Sequence, residues 1–141
     1  MVEVIEKAIC PSEVIAKVQS DSSGCVVTYV GLIRDNSHSK RVIYVEYQDS
    51  KGNAQKALQG IAEGAKKKWK LENIAISHRI GRLKVGEINL VVAVASVHRI
   101  EGFAACQYVI DQFKENLPTS KIETYEDGSI MVNEVSQRIR K

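Results

Sequence analysis

Residues 73–99 read NIAISHRIGRLKVGEINLVVAVASVHR. The runs "NIAISHRIGRL" and "INLVVAVASVHR" have strand character, and "KVGE" between them is a turn whose Gly86 supplies the permissive backbone. Two long strands that meet at a tight turn fit poorly in a doubly wound parallel sheet. With helices interrupting the other strands, the expected class is α+β with a mixed, mainly antiparallel sheet. No glycine-rich phosphate loop follows a strand, which argues against nucleotide-binding folds.

Upstream, "CPSEVIAKVQS" reads as a short helix with Pro11 in its first turn. "GCVVTYVGLIR", residues 24–34, is apolar in both alternating sets and is expected to be a buried strand. "DNSHSK" then reads as a polar loop of about six residues, before a second strand "RVIYVEY". Residues 53–69 carry Ala57, Leu58, Ile61, Ala65 and Trp69 at helical spacing. Downstream, Phe103, Cys106, Ile110, Phe113 and Leu117 form one helical stripe that Pro118 ends. "KIETYEDGSIMVNE" is a hairpin around Asp127 and Gly128, and the tail "SQRIRK" is expected to fray.

With 141 residues, 44% apolar and 26% charged, residues 1–141 are expected to form one soluble domain without staples. No apolar run approaches the roughly 20 residues of a membrane helix, and the N-terminus lacks a signal-peptide layout, so a cytoplasmic location is expected. The three cysteines lack Cys-x-x-Cys spacing, and His38, His78 and His98 lack ligand spacing, so neither a metal nor a cofactor is expected. The net charge of +3 is too small to imply nucleic-acid binding. Lys66, Lys67, Lys68 and Lys70 read as a solvated helix end, and Trp69 belongs to the core stripe rather than to a base-stacking surface.

Cations stand where apolar elements end. His98 and Arg99 lie at a strand-to-helix junction, where free N–H groups and the positive end of the helix dipole favour anions such as phosphate. The plain alternative is that His98 satisfies a buried carbonyl while Arg99 reaches solvent. Arg34 ends another strand and reads equally well as a solvated terminal charge. Lys114 and Lys121 flank Pro118, where each could be ordinary surface charge or one ammonium could lower the pKa of the other and prepare it for proton transfer or imine formation. Cys106 lies within the apolar stripe and reads as a small core residue.

The stretch from Ser77 to Glu123 resembles the large, catalytic subunit of molybdopterin synthase. "HRIGRLKVGE", then "HRIEGFAA", then a lysine, a proline and a second lysine followed by acid occur in that family's order, and "YVGLIR" matches its strand ending in arginine. The matching core runs from about Gly24 to Glu134. The resemblance implies an α/β-hammerhead fold and a sulfur transferase. Such an enzyme converts cyclic pyranopterin monophosphate to molybdopterin, building a dithiolene with sulfur from the Gly-Gly thiocarboxylate of a small ubiquitin-like subunit. It further implies a homodimer within a heterotetramer. Arg34, His98 and Arg99 would bind the pterin phosphate, and the catalytic pair Lys114 and Lys121, with Ile122 and Glu123, would meet the substrate and the partner's tail. Whether the lysines act as acid and base or capture an intermediate stays open.

The chain also departs from that pattern. "PTSKIE" stands where the family commonly has "P-I-W-K-K-E", the loop after Arg34 lacks its usual glycine, and Gln48, Ser50 and Asn53 replace Glu, Tyr and Met. A non-catalytic paralogue that binds a phosphate ligand or a ubiquitin-like partner is the alternative these departures leave. Geometry adds an expectation of its own. A continuous helix over 99–114 would separate Arg99 from Lys114 by roughly 22 Å. Either Gly102 breaks that helix or its two ends serve different sites, and a twofold dimer would let His98 and Arg99 complete the partner's pocket.

Overall fold

The computed structural model describes residues 1–133, so Glu134 and the tail expected to fray lie outside the described residues. In chain order the elements are β1 (Val2–Ile5), α1 (Pro11–Val18), β2 (Cys25–Leu32), β3 (Asn36–Ser37), β4 (Lys40–Gln48), α2 (Ala54–Lys68), β5 (Asn73–Arg79), β6 (Gly81–Lys84), β7 (Ile88–Ser96), α3 (Arg99–Glu115), β8 (Ser120–Tyr125) and β9 (Ile130–Asn133). The class is α+β, as expected, with its strands divided between two sheets. The first has the order β1-β5-β7-β2, and the second is built on β4, which pairs with β3, β6 and β8, with β9 beyond β8. Only β1 against β5 runs parallel among these pairings.

Strand β7 explains why its sequence is apolar without interruption. Successive side chains point to opposite faces, and both faces are covered. Leu90, Val92 and Val94 pack into a core with Leu58 of α2 and Val109 and Phe113 of α3. Val91, Ala93 and Ala95 pack instead with Val14 and Val18 of α1. Each fully buried valine or leucine contributes about 1.5–3 kcal/mol, so this strand anchors both cores. Among the described residues no helix is long and apolar enough to cross a membrane.

Several local expectations need correction. The run 73–83 is not one strand: it breaks at Ile80, and Gly81, with φ 96°, turns the chain from the first sheet into β6 of the second. The "KVGE" turn therefore joins β6, not β5, to β7. Strand β2 is an edge rather than a buried strand, with Val30 39% and Leu32 58% exposed, because among the described residues no strand lies beyond it. The six-residue loop is a hairpin whose turn is only His38 and Ser39, both at positive φ (54° and 62°). Such a turn favours Asn-Gly, so this chain holds a strained pair where the related pattern has glycine.

The helical stripes also sit slightly differently. In α2, Ala57 is exposed, while Ala54, Leu58, Ala62 and Ala65 are buried. In α3, Phe103 is 61% exposed, and Gly102, Ala105, Cys106, Val109 and Phe113 face inward. The inward face of α3 is set by the close approach of Gly102, where an added Cβ would come within 2.8 Å of Ser96 Oγ and 3.0 Å of Val27 Cγ2. Strand β1 was not anticipated: four residues are a short signal, and its place is decided by pairing with β5.

Candidate functional site

Helix α3 runs to Glu115, and its capping residue Asn116 donates its N–H to the carbonyl of Gln112 at 3.0 Å. Leu117, Pro118 and Thr119 are buried, and β8 begins one residue later. Proline cannot continue the helix, so the chain turns a corner there. The corner sets Lys114, in the last helical turn, and Lys121, near the start of β8, on one cleft of about 390 Å³. Arg34 joins them from the segment after β2, and Glu123 enters from the same face of β8 as Lys121. Tyr29, Tyr47, Asn89 and Phe113 are among the other lining residues.

The cleft is electrostatically uneven: among the described residues three cations line it against the carboxylate of Glu123. Burial holds the Lys114 ammonium below the ordinary lysine pKa, and the positive charges of Lys121 and Arg34 push it further down. Lys121 is steadied by Glu123, whose Oε2 lies 3.3 Å from the lysine Nζ. Burial would raise the Glu123 carboxyl, yet hydrogen bonds from Tyr125 and Ser37 together with Lys121 keep it below the usual carboxylate range. The Tyr125 hydroxyl donates to Glu123 Oε1 at 2.5 Å. A cleft of this kind attracts anions, and it contains a lysine that releases its proton more readily than a solvated one.

Helix α3 is continuous from Arg99 to Glu115, so Gly102 does not break it. His98 caps its N-terminus and Arg99 is its first residue; both are exposed, and neither lines the cleft. An exposed His98 also removes the reading in which it satisfies a buried carbonyl. At about 1.5 Å per residue, Arg99 stands roughly 22 Å along the axis from Lys114. The exposed apolar side chains Val97, Ile100 and Phe103 surround this end of the helix. Ile122 points to the face of β8 opposite Lys121 and Glu123, and it does not line the cleft.

The order of these elements can be compared with known proteins. The family model described as MoaE protein matches residues 4–116, most of the chain. The chain belongs to the MoaE family. It is 36% identical over 128 residues to the molybdopterin synthase catalytic subunit of Thermoplasma volcanium, covering 91% of this chain and 93% of that one. The catalytic subunit from Halalkalibacterium halodurans is 33% identical over 93% of this chain and 84% of its own length. The crystal structure of molybdopterin synthase from Staphylococcus aureus superposes with a TM-score of 0.86 at 30% identity, covering 94% of this chain and 96% of that one. The expected family and the expectation of an enzyme both hold.

Within this MoaE-family chain, four residues that depart from the related pattern lie outside the cleft, while the loop after Arg34, which lacks that pattern's glycine, contributes Ser37 to its lining. The four are Gln48, Ser50, Asn53 and Ser120. Sequence reasoning missed Asn89 and Tyr47. Asn89 falls where the β2–β7 register slips between Gly31 and Leu32, and such a bulge re-aims a side chain. Its Nδ2 donates to the Tyr47 hydroxyl at 2.8 Å, while its Oδ1 is buried with no hydrogen-bond partner among the described residues. The available signal was an amide inside the apolar run "INLVVAVA". Cys106 is a core residue, its thiol pushed up to about 11 by burial. Trp69 packs edge-on against Tyr108 with ring centroids 5.5 Å apart, consistent with its core assignment.

Proposed function

We propose that the chain acts as the catalytic subunit of a molybdopterin synthase, transferring sulfur to cyclic pyranopterin monophosphate to form the dithiolene of molybdopterin. The observation that carries this reading is the cleft that gathers Lys114, Lys121 and Arg34 in a chain of the MoaE family. The sulfur donor is the thiocarboxylated C-terminus of a small ubiquitin-like subunit. That tail is anionic and extended, which suits a cationic cleft. Lys114, with its depressed pKa, serves as the proton-transferring group, and Lys121, oriented by Glu123, holds the thiocarboxylate or the carboxylate it leaves behind.

The pterin phosphate is assigned to a second group of cations. His98 and Arg99 stand at a helix N-terminus, a good phosphate position, but too far along α3 to reach the Lys114 of their own chain. In a homodimer they serve the partner's cleft, and the exposed Val97, Ile100 and Phe103 beside them are the apolar surface that the second copy covers. Two small subunits then complete a heterotetramer. Incubating the protein with a thiocarboxylated small subunit and cyclic pterin phosphate should yield dithiolene product. Binding of both without product would overturn this reading in favour of a non-catalytic paralogue. Four departing residues, Gln48, Ser50, Asn53 and Ser120, lie outside the cleft, and its cations Arg34, Lys114 and Lys121 are all present, which favours catalysis over the paralogue.

A further inference from the structure

His78 is buried with no exposure in the penultimate position of β5, just before the chain crosses into the second sheet. Its ring is held edge-on between Tyr47 and Phe113, with centroids 5.0 Å and 4.9 Å away. Nδ1 lies 2.9 Å from the carbonyl oxygen of Asn89, and Nε2 lies 3.0 Å from Thr119 Oγ1. A carbonyl only accepts, so Nδ1 carries the proton. In the neutral ring Nε2 then has a lone pair, and the Thr119 hydroxyl donates to it. Burial keeps the ring neutral by pushing its pKa down to about 4.

Each partner of this ring bears on a cleft lysine. Phe113 immediately precedes Lys114 in α3, and Thr119 sits two residues before Lys121 in the corner between them. Tyr47 is the residue paired with Lys121 across the β4–β8 ladder. His78 itself does not line the cleft. A plain packing role would need only an aromatic ring at this position, whereas the observed imidazole also uses both nitrogens, one on each side of the seam between the sheets. Thr119 stands where the resembled family commonly has isoleucine, a side chain with no hydroxyl to donate.

We propose that His78 is a positioning residue, holding Lys114 and Lys121 at their working separation through Phe113 and the Thr119 hydroxyl. The inference rests on the sulfur-transfer reading of the cleft, and its test separates the two. Thr119→Val removes the donor and keeps the shape, Thr119→Ser restores the hydroxyl, and Thr119→Ala stands in if the valine protein does not fold. With thiocarboxylated small subunit and cyclic pterin phosphate, the valine variant should lose about tenfold in kcat. Its KM for the small subunit should stay within about twofold, and the serine variant should recover most of the rate. Unchanged kcat in the valine variant, or no recovery with serine, would overturn the proposal.

A second readout needs no turnover. In protein labelled at lysine and histidine nitrogens, His78 should show the neutral Nδ1–H tautomer by NMR. The Lys114 titration should move up toward the ordinary lysine value in Thr119→Val as the lysines drift apart. An Nε2–H tautomer, or a Lys114 titration indifferent to Thr119, would sink the proposal. If the unmodified protein makes no product, the sulfur-transfer reading fails and the Lys114 titration still decides the positioning role.

Discussion

Lys114 carries an ammonium that its surroundings make easier to deprotonate. Burial is the largest cause, and the charges of Lys121 and Arg34 follow. Lys121→Met removes one of those charges, so the Lys114 pKa should rise toward the ordinary value, read by nitrogen NMR across the alkaline range, while sulfur-transfer activity falls. No rise would mean that the two ammonium groups do not interact. His78 acts at the acid end. Its folded pKa of about 4 lies below the unfolded value of 6.5, so the unfolded chain takes up a proton that the native ring refuses. Stability is therefore complete above 6.5 and declines as pH falls toward 4, by about 3 kcal/mol in all. Glu123 acts in a lower window: its depressed carboxyl contributes stability that is lost only as pH drops below 4.5 through its folded value. Urea denaturation from pH 7 to pH 3 should show the first loss above pH 4.5, and a flat profile there would contradict a buried neutral His78. At this scale the cations were legible, because they stand where apolar runs end. His78 and Asn89 were not, because a polar residue inside an apolar strand looks the same whatever it will touch.

At the scale of elements, the glycines of the helices separate two effects that the sequence cannot. Alanine is favoured over glycine inside a helix by about 1 kcal/mol. At Gly60 of α2 an added Cβ meets nothing within 4 Å, so Gly60→Ala should stabilise by about 0.5–1 kcal/mol in chemical denaturation. At Gly102 of α3 the same methyl meets Ser96 Oγ at 2.8 Å and Val27 Cγ2 at 3.0 Å. Ser96 is fully buried and donates to the His98 carbonyl at 2.6 Å, so it has little freedom to yield. Gly102→Ala should therefore destabilise, with overpacking of about 1–3 kcal/mol exceeding the helix gain. Opposite signs at the two sites are the expected result. Helix and strand types were readable from spacing, as was the start of α1 at Pro11, whereas α3 stops at Glu115, three residues short of Pro118. The break at Ile80–Gly81 was not, because the apolar pattern continues through it while the strand changes sheets.

For the molecule as a whole, the length of α3 makes the proposed site one that two chains share. A 17-residue helix with His98 and Arg99 at one end and Lys114 at the other cannot close on one small substrate. Neither His98→Ala nor Lys114→Ala alone should be active. When the two are co-expressed, a mixed dimer has one cleft with every group intact, and random pairing should restore about one quarter of normal activity. Activity that stays absent in the isolated mixed dimer would show that each chain uses its own His98. The edge position of β2 and the exposed Ile100 and Phe103 belong to this scale too, since residues that look ready for burial stay exposed in one chain.

The sequence by itself determined the α+β class, the kinds of element, the family and the five cations at the ends of apolar runs. These follow from periodicity, turn chemistry and motif order, which are properties of neighbours along the chain. Only the tertiary structure decided that the strands divide between two sheets, that Arg34, Lys114 and Lys121 share a cleft with Glu123 while His98 and Arg99 do not, and that His78 sits beneath the lysine corner. Those choices depend on which distant residues pair and pack. A strand reads equally apolar in either sheet, and a helix end gains a binding partner only when another part of the fold comes to it.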